Sequence, residues 1–482
     1  MFMFTQTLRH AGLLRALAAT ALACLAVSGA LASSVAFAQS PEQLTQIDQM
    51  LTATYKPNEP GAVVLIAKDG KPVLRKAYGL ADLEKGVPLK PDDVFRIGSV
   101  TKPFTAMAIL LLEEDGKLAL SDEITRFFPD YPTQGQKITI EHLLTHTSGV
   151  AIYTEFSAVR GNAALVTPID VINAFKTAPM SGAPGAEWVY NNSGYYLLGA
   201  LIEKVSGLSY ADFLASRIFT PLGMHNTAFE GKERGAKRVP GYRTEAGKFR
   251  LAPDMAPNMT YAAGGLVSTA DDLLRWQIAI ASNQLLKPAT WKRVFTPATL
   301  NNGTATEYGY GWLVLKLRGQ ALRTHTGVVA GFQSSVLMLP EQQLSITFLT
   351  NQQARQNVAR RMGEQIAAIA IGKPFPQHKP IALTEAALTQ FEGVYQREGK
   401  PARTITRAGA QLRQAAVTGQ SMMQPFAERE FFQPVGSFTR YRFEADAAGK
   451  VVRMVRIDIS DEEEIYMRIA DAPTRPASAA NQ

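Results

Sequence analysis

Phe95-Arg-Ile-Gly-Ser-Val-Thr-Lys-Pro-Phe-Thr-Ala-Met-Ala-Ile-Leu-Leu-Leu112 opens as mixed chain and closes as unbroken apolar chain. Ser99 and Lys102 lie three residues apart, the spacing that makes side chains neighbours on a helix surface. Phe104, Met107, Ala108, Ile109, Leu110, Leu111 and Leu112 are apolar nearly all round, which predicts a buried helix. Pro103 fits only the first turn, where its missing N–H is not needed. Ser99 is thereby placed at the helix N-terminus, where free N–H groups and the positive dipole end favour developing negative charge. Gly116, after Glu113-Glu-Asp115, is a natural end. Two readings of Ser99-Val-Thr-Lys102 stand at this point: a serine nucleophile with an adjacent amine, or a Ser/Thr helix start with a snorkelling lysine. A four-residue pattern alone favours the second.

Working outward, residues 43–55 predict an amphipathic helix with Leu44, Ile47, Met50, Leu51 and Tyr55 on one face. Residues 62–67 and 72–78 flank Asp69-Gly70, a strong hairpin signal. Residues 120–300 read as mainly helical, with helices over 138–144, 169–175, 194–205, 210–218 and 270–280. Strands return at 313–317, 321–326, 333–339 and 344–350, and a helix over 354–371 closes the unit. The predicted fold class is α/β of the α+β kind, one antiparallel sheet flanked by helices with a helical lobe. The cleft between sheet and lobe is the natural place for a site. Residues 39–372 are assigned to this domain and 373–380, rich in Pro, to a linker. Residues 381–470 form a second, mostly-β, barrel-like domain. There Thr439, Tyr441 and Phe443 alternate with Arg440, Arg442 and Glu444, and Val455, Ile457 and Ile459 with Arg456 and Asp458. The acidic run 461–464 reads as an exposed turn, and 471–482 as a disordered tail.

The chain of 482 residues has 46% hydrophobic and 19% charged residues, ordinary for a globular enzyme. Residues 1–38 read as a signal peptide: Arg9 and Arg15, an apolar run, then Ala36-Phe-Ala38 as the cleavage site. Export to the periplasm or medium, with Gln39 first, is the expectation. The run is short and Ala-rich for an uncleaved anchor. The single cysteine, Cys24, lies inside it; Ala21 stands where a lipoprotein signal wants a large aliphatic residue, which disfavours lipidation. The mature chain then has no thiol, which excludes disulfides, thiol catalysis and cysteine zinc sites. No later stretch is long and apolar enough to span a bilayer. The net charge of +8 is scattered, densest over 232–238. Without a basic helix or interleaved aromatics, nucleic acid is not an expected partner.

Three further segments carry chemistry. Tyr190-Asn-Asn192 precedes a helix start, so Asn192 and Ser193 can serve simply as caps. The functional alternative makes Tyr190 a proton shuttle, its phenol lowered by a nearby Lys⁺, with Asn192 orienting the lysine or a substrate carbonyl. His325-Thr-Gly327 lies on a strand, where Gly327 admits close approach of a ligand. Backbone N–H groups of Ser99 and Val328 could then form an oxyanion hole. His142 and His146, four apart, could share a helical face as in H-E-x-x-H zinc sites. Position 143 is Leu rather than Glu, and Thr147-Ser-Gly149 looks like a helix end, so both read as structural and no metal is expected.

The order Ser-x-x-Lys, Tyr-x-Asn, His-Thr-Gly resembles the serine β-lactamase/penicillin-binding-protein superfamily. The similarity is greatest to the branch of class C β-lactamases, D-alanyl-D-alanine carboxypeptidases, D-aminopeptidases and β-lactamase-like carboxylesterases. Leu143-Leu-Thr-His-Thr-Ser-Gly149, Asn192-Ser-Gly-Tyr-Tyr-Leu-Leu-Gly199 and Ala263-Gly-Gly-Leu-Val-Ser-Thr-Ala-Asp-Asp272 extend the resemblance across residues 43–371. It implies a β-lactamase/transpeptidase-like fold and no cofactor. It makes Ser99 the acylated nucleophile, with Lys102 and Tyr190 sharing the acid/base work. Asn192, His325, Thr326 and Gly327 bind substrate, and the Ser99 and Val328 N–H groups hold the oxyanion. Two departures matter: His325 stands where β-lactamases usually carry Lys, and no Ser-Asp-Asn motif is present. They favour a peptidase or esterase acting on a small or peptide substrate, in order D-amino-acid-containing peptides or amides, short-chain esters, then β-lactams. A non-catalytic peptidoglycan-binding protein is the alternative of another class, and the intact motifs rank it low. Residues 388–395, Leu-Thr-Gln-Phe-Glu-Gly-Val-Tyr, are similar to the start of accessory domains on peptidase-like members.

Overall fold

The structure is a computed structural model that describes residues 40–155, 167–233, 235, 237–353, 358–416, 419–434 and 437–472. The signal-peptide reading of 1–38 and the tail from 473 on lie outside the described residues. The organising element is a six-stranded antiparallel sheet. It comprises β1 (Ala62–Lys68), β2 (Lys71–Tyr78), β3 (Leu313–Leu317), β4 (Gln320–Val329), β5 (Phe332–Leu339) and β6 (Leu344–Thr350), in the order β3-β4-β5-β6-β1-β2. Asp69 and Gly70 make the β1–β2 turn with φ of 52° and 73°, the left-handed conformation such a two-residue turn requires.

Both faces of the sheet are buried, and its side chains sort by the period of two. Val63, Leu65, Val336 and Met338 enter one core; Ala62, Val64, Ile66, Leu337 and Leu339 enter the other. The second face is covered by α1 (Pro41–Thr54), through Ile47 and Leu51, and by α6 (Val358–Ala370), through Ile366 and Ile369. The first face is covered by α5 (Ala270–Ala281) and by the helical lobe. At the centre of that lobe is α2 (Thr101–Glu114), in which every residue from Thr101 to Leu112 is buried. Pro103 is its third residue, inside the first turn as its chemistry demands. The lobe also holds a small sheet that a helical reading does not contain: Leu266–Ser268 between Phe95–Arg96 and Ala228–Phe229. Strands of two or three residues carry no readable period.

After a stretch without regular structure over residues 373–384 and a short helix, Glu385–Thr389, eight strands from Gly393–Gln396 to Glu463–Ala470 close a barrel, each pairing with the next and the last with the first. Tyr395, Leu412, Phe431, Phe443, Met454 and Tyr466 fill its interior, as expected of an eight-stranded barrel, whose bore just admits side chains. Residues from Gln43 onward form one unit, and the barrel meets the tip of the β3–β4 hairpin. Arg318 and Gly319 N–H donate to the carbonyls of Ile459 and Ser460 at 2.7 and 3.0 Å. Phe375 stacks on Phe438 at 4.0 Å. The exposed-turn reading of the acidic run holds only for Asp461, at φ 68°, and Glu462, which pair with Arg318 and Lys316 of the hairpin; Glu463 and Glu464 begin the last barrel strand, where Glu464 is half-buried against Arg397 and Arg456.

Candidate active site

Ser99 lies in a single 3₁₀ turn, Gly98–Val100, that runs directly into α2. The turn is anchored on both sides. Ile97 N–H donates to Leu266 O at 3.0 Å, and Ile97 O accepts from the Ser334 hydroxyl at 2.7 Å. Gly98 has φ of 50°, and a Cβ there would lie 2.9 Å from Val328 N. Only glycine therefore lets the serine turn and β4 come this close.

Lys102 is fully buried and its amine reaches Ser99 Oγ at 3.1 Å. It also donates to Asn192 Oδ1 and to the Ala263 carbonyl, both at 2.8 Å. Burial pushes its pKa well below the ordinary lysine value, because a charged amine loses its hydration there. Its partners are an amide oxygen, a carbonyl and a hydroxyl, none of them an anion.

Asn192 begins α4 (Asn192–Ser206), but the cap is Asn191, whose side chain accepts from Ser193 N–H at 2.8 Å. The capping expectation for Asn192 is thus off by one residue, and the shift leaves the Asn192 amide for Lys102. Tyr190 lies beside Ser99, which favours its phenolate, and its ring lies 4.8 Å from the Lys102 amine. Burial raises the phenol pKa. The lowering expected from a neighbouring Lys⁺ does not prevail: burial is the largest effect on the phenol, and Ser99 is what opposes it.

The third motif lies on β4. Strand β3 pairs with it only as far as Leu313↔Thr324, so residues 325–329 have no strand on that side and face the serine turn. What approaches Gly327 closely is protein, not ligand: a Cβ there would meet the Ile97 carbonyl at 2.0 Å. Val328 is exposed and Thr326 half-buried. His325 is 2% exposed. Its Nδ1 lies 2.8 Å from Thr326 O, and its Nε2 3.0 Å from the Tyr308 hydroxyl. A carbonyl only accepts, so Nδ1 carries the proton and Nε2 accepts from Tyr308. Burial pushes its pKa down to about 3, with Lys102 adding to the effect.

The two histidines of the 142–146 pair separate. His142 caps the short helix α3 (Ile140–Leu144), its Nδ1 accepting from Thr139 N–H. His146 is buried at the site, with ring centroids 4.4 Å from Tyr190 and 4.7 Å from Tyr308. His146, Tyr308 and the Ala263 carbonyl are site members that sequence reasoning missed. The signal for His146 and Ala263 was their place in segments that extend the resemblance; Tyr308 lies outside all three.

The beta-lactamase family model matches residues 45–371. Penicillin-binding protein 4* of Bacillus subtilis (strain 168) is 29% identical over 395 residues, 77% of this chain and 87% of that protein. The octameric penicillin-binding protein homologue from Pyrococcus abyssi superposes with a TM-score of 0.63 at 24% identity, over 88% of this chain and 99% of that one. The D-amino acid amidase from Ochrobactrum anthropi SV3 superposes with a TM-score of 0.60 at 24% identity, over 69% of this chain and 99% of its own. A family match over two thirds of the chain, on a fold that brings Ser99, Lys102, Tyr190 and Asn192 into contact, shows that this chain belongs to the beta-lactamase family of serine hydrolases.

Proposed function

We propose that the protein forms and hydrolyses an acyl-enzyme on Ser99, and that its substrates are peptides or amides containing a D-amino acid. The satisfaction of Lys102 carries the mechanism. A neutral amine has two hydrogens and one lone pair. The hydrogens go to Asn192 Oδ1 and Ala263 O, and the lone pair is left for the Ser99 hydroxyl. Lys102 then takes the Ser99 proton as Oγ bonds to the substrate carbonyl carbon. The carbonyl electrons move to its oxygen, which the Ser99 and Val328 N–H groups receive at the start of α2. As the tetrahedral adduct collapses, the C–N bond breaks. The neutral Tyr190 phenol gives the leaving nitrogen its proton and recovers one from Lys102. Water repeats the sequence on the ester and frees Ser99.

The third motif supports the substrate class. A fixed cation there would suit a substrate carboxylate, but His325 is neutral and both its ring nitrogens are engaged. An amide needs no such cation. The likeness to a D-amino acid amidase agrees, and short-chain esters rank next because they need less help at the leaving group. Small D-alanine peptides released from peptidoglycan belong to the same class. We also assign residues 1–38 to an export leader, consistent with the penicillin-binding relative; mass spectrometry of the exported chain should find Gln39 first.

A panel of D-amino acid amides, D-Ala-D-Ala peptides, p-nitrophenyl esters and a chromogenic cephalosporin tests the ranking. Native protein should be labelled by a fluorophosphonate and should turn over the D-amides best, and Ser99→Ala should lose both properties. Full activity in Ser99→Ala would sink the mechanism; preference for the cephalosporin would sink the substrate class.

A further inference from the structure

We infer that His146 is a positioning residue of this reaction, tethering the chain on both sides of Tyr190 so that the phenol is held on Ser99. The inference rests on the acyl-enzyme reading above. It stands on four observations. The carbonyl of His146 accepts from Val189 N–H at 3.0 Å. Its ring Nδ1 accepts from Asn191 N–H at 3.1 Å. The residues before and after Tyr190 are thus both tied to one residue, 43 and 45 positions away in sequence. The ring itself lies against Tyr190, with centroids 4.4 Å apart and planes at 45°.

The fourth observation is the backbone. His146 has φ of 60°, a left-handed conformation that is costly for a non-glycine residue and persists only where its surroundings impose it. That turn lets the carbonyl and the imidazole of a single residue serve the same segment. The tether also sets the protonation state. Nδ1 accepts a hydrogen bond, so it carries no proton, and the ring is neutral with its hydrogen on Nε2. The surroundings enforce this: the ring is buried, and Lys102 and His325 face it as groups whose charge would repel a proton. Glu141, on α3, instead meets the Tyr310 hydroxyl. His146 Nε2 is buried among Tyr190, Tyr195 and Tyr308 without a hydrogen-bond partner.

Three substitutions separate positioning from mere packing. Asn tolerates the left-handed backbone and places Oδ1 where Nδ1 stands. Gln carries its amide one bond further out, and Leu offers volume without an acceptor. The readouts are kcat and KM for a D-amino acid p-nitroanilide, whose leaving nitrogen takes its proton from Tyr190 in that reaction, with the labelling rate of a fluorophosphonate as a check on the nucleophile. His146→Leu should lose about 10–100-fold in kcat with KM nearly unchanged, since a displacement of about 1 Å can cost about 100-fold. His146→Asn should stay within about three-fold of native, and His146→Gln should fall with Leu. In a Tyr190→Phe background, His146→Leu should cost less than about two-fold more, because its effect passes through the phenol.

A native rate in His146→Leu, or the same loss with and without Tyr190, would overturn the inference. If His146→Leu does not fold, equal rates for His146→Asn and His146→Gln would overturn it. A native chain that resists labelling would overturn the acyl-enzyme reading itself. A labelled native chain with an indifferent His146→Leu overturns this inference alone.

Discussion

At the scale of single residues, the site is a set of ionisable groups held in their neutral forms. Lys102, His146 and His325 are pushed down and Tyr190 is pushed up, in every case chiefly by burial. The cost is paid in stability at acid pH. The unfolded chain protonates both histidines near pH 6.5, while the folded chain does so only at lower pH, about 3 for His325. Below pH 6.5 the unfolded state therefore binds more protons, and stability falls as pH falls. His325 contributes a loss of up to about 2 kcal/mol at pH 5, and His146 a loss of the same sign. Thermal melts between pH 7.5 and pH 5 should decline, and His146→Asn should decline less steeply. Parallel curves for the two proteins would show that His146 is not held neutral. Lys102 gives activity the same sign. The free amine is the base, so acylation should be lost as pH falls through a pKa well below the ordinary lysine value.

At the scale of elements, the serine turn and β4 are locked by Gly98 and Gly327. In Gly327→Ala the new methyl would lie 2.0 Å from Ile97 O and 2.5 Å from Ser334 Oγ, both anchored, so the strand must move away. Overpacking of this kind costs about 1–3 kcal/mol, and the loss of one oxyanion donor costs about 10²–10³ in rate. A lowered Tm with p-nitrophenyl acetate turnover reduced to that extent is expected; native turnover would separate Val328 N–H from the chemistry. The sheet and its long helices are legible in the sequence because burial demands apolar chain, as in β1 and α2, and because Asp69-Gly70 announces the β1–β2 turn. The meeting of Ser99 with Lys102 is legible because it is local. What escaped is non-local or set by a single residue. Asn191 rather than Asn192 caps α4, a choice that turns on where the first helical turn closes. His146 reaches the site through a left-handed turn that its sequence neighbours do not announce. The direction of the Tyr190 shift depends on burial, which only the assembled lobe supplies.

At the scale of the whole molecule, the question is whether the barrel shapes the cleft or supports the sheet. Its contacts favour support. It holds the tip of the β3–β4 hairpin at Arg318 and Gly319, eight residues from Gly327, which at about 3.3 Å per strand residue is about 25 Å away. Ile459 and Phe438 complete the core on the α1–α6 face, and the packed interior leaves the barrel no bore for a ligand. One thread does run toward the site. Glu307, an exposed residue, lies beside Asp458 and Arg456 of the barrel, partial desolvation and Asp458 raising its pKa and Arg456 opposing them. The next residue, Tyr308, bonds His325. Removal of the barrel takes away Asp458 and Arg456 together, and their opposite effects on Glu307 offset one another. A chain ending at Pro380 should therefore melt several degrees lower, with Phe375 unstacked and the hairpin tip unpaired, and should keep kcat for p-nitrophenyl acetate within about three-fold. The D-amino acid amidase superposition supports a fold that stands without the barrel, since 99% of that chain is matched by 69% of this one. A truncated chain that stays folded but changes its preference among D-amides, esters and the cephalosporin would assign the barrel to the cleft instead. In that case Arg456→Ala in the full chain should reproduce the change through Glu307.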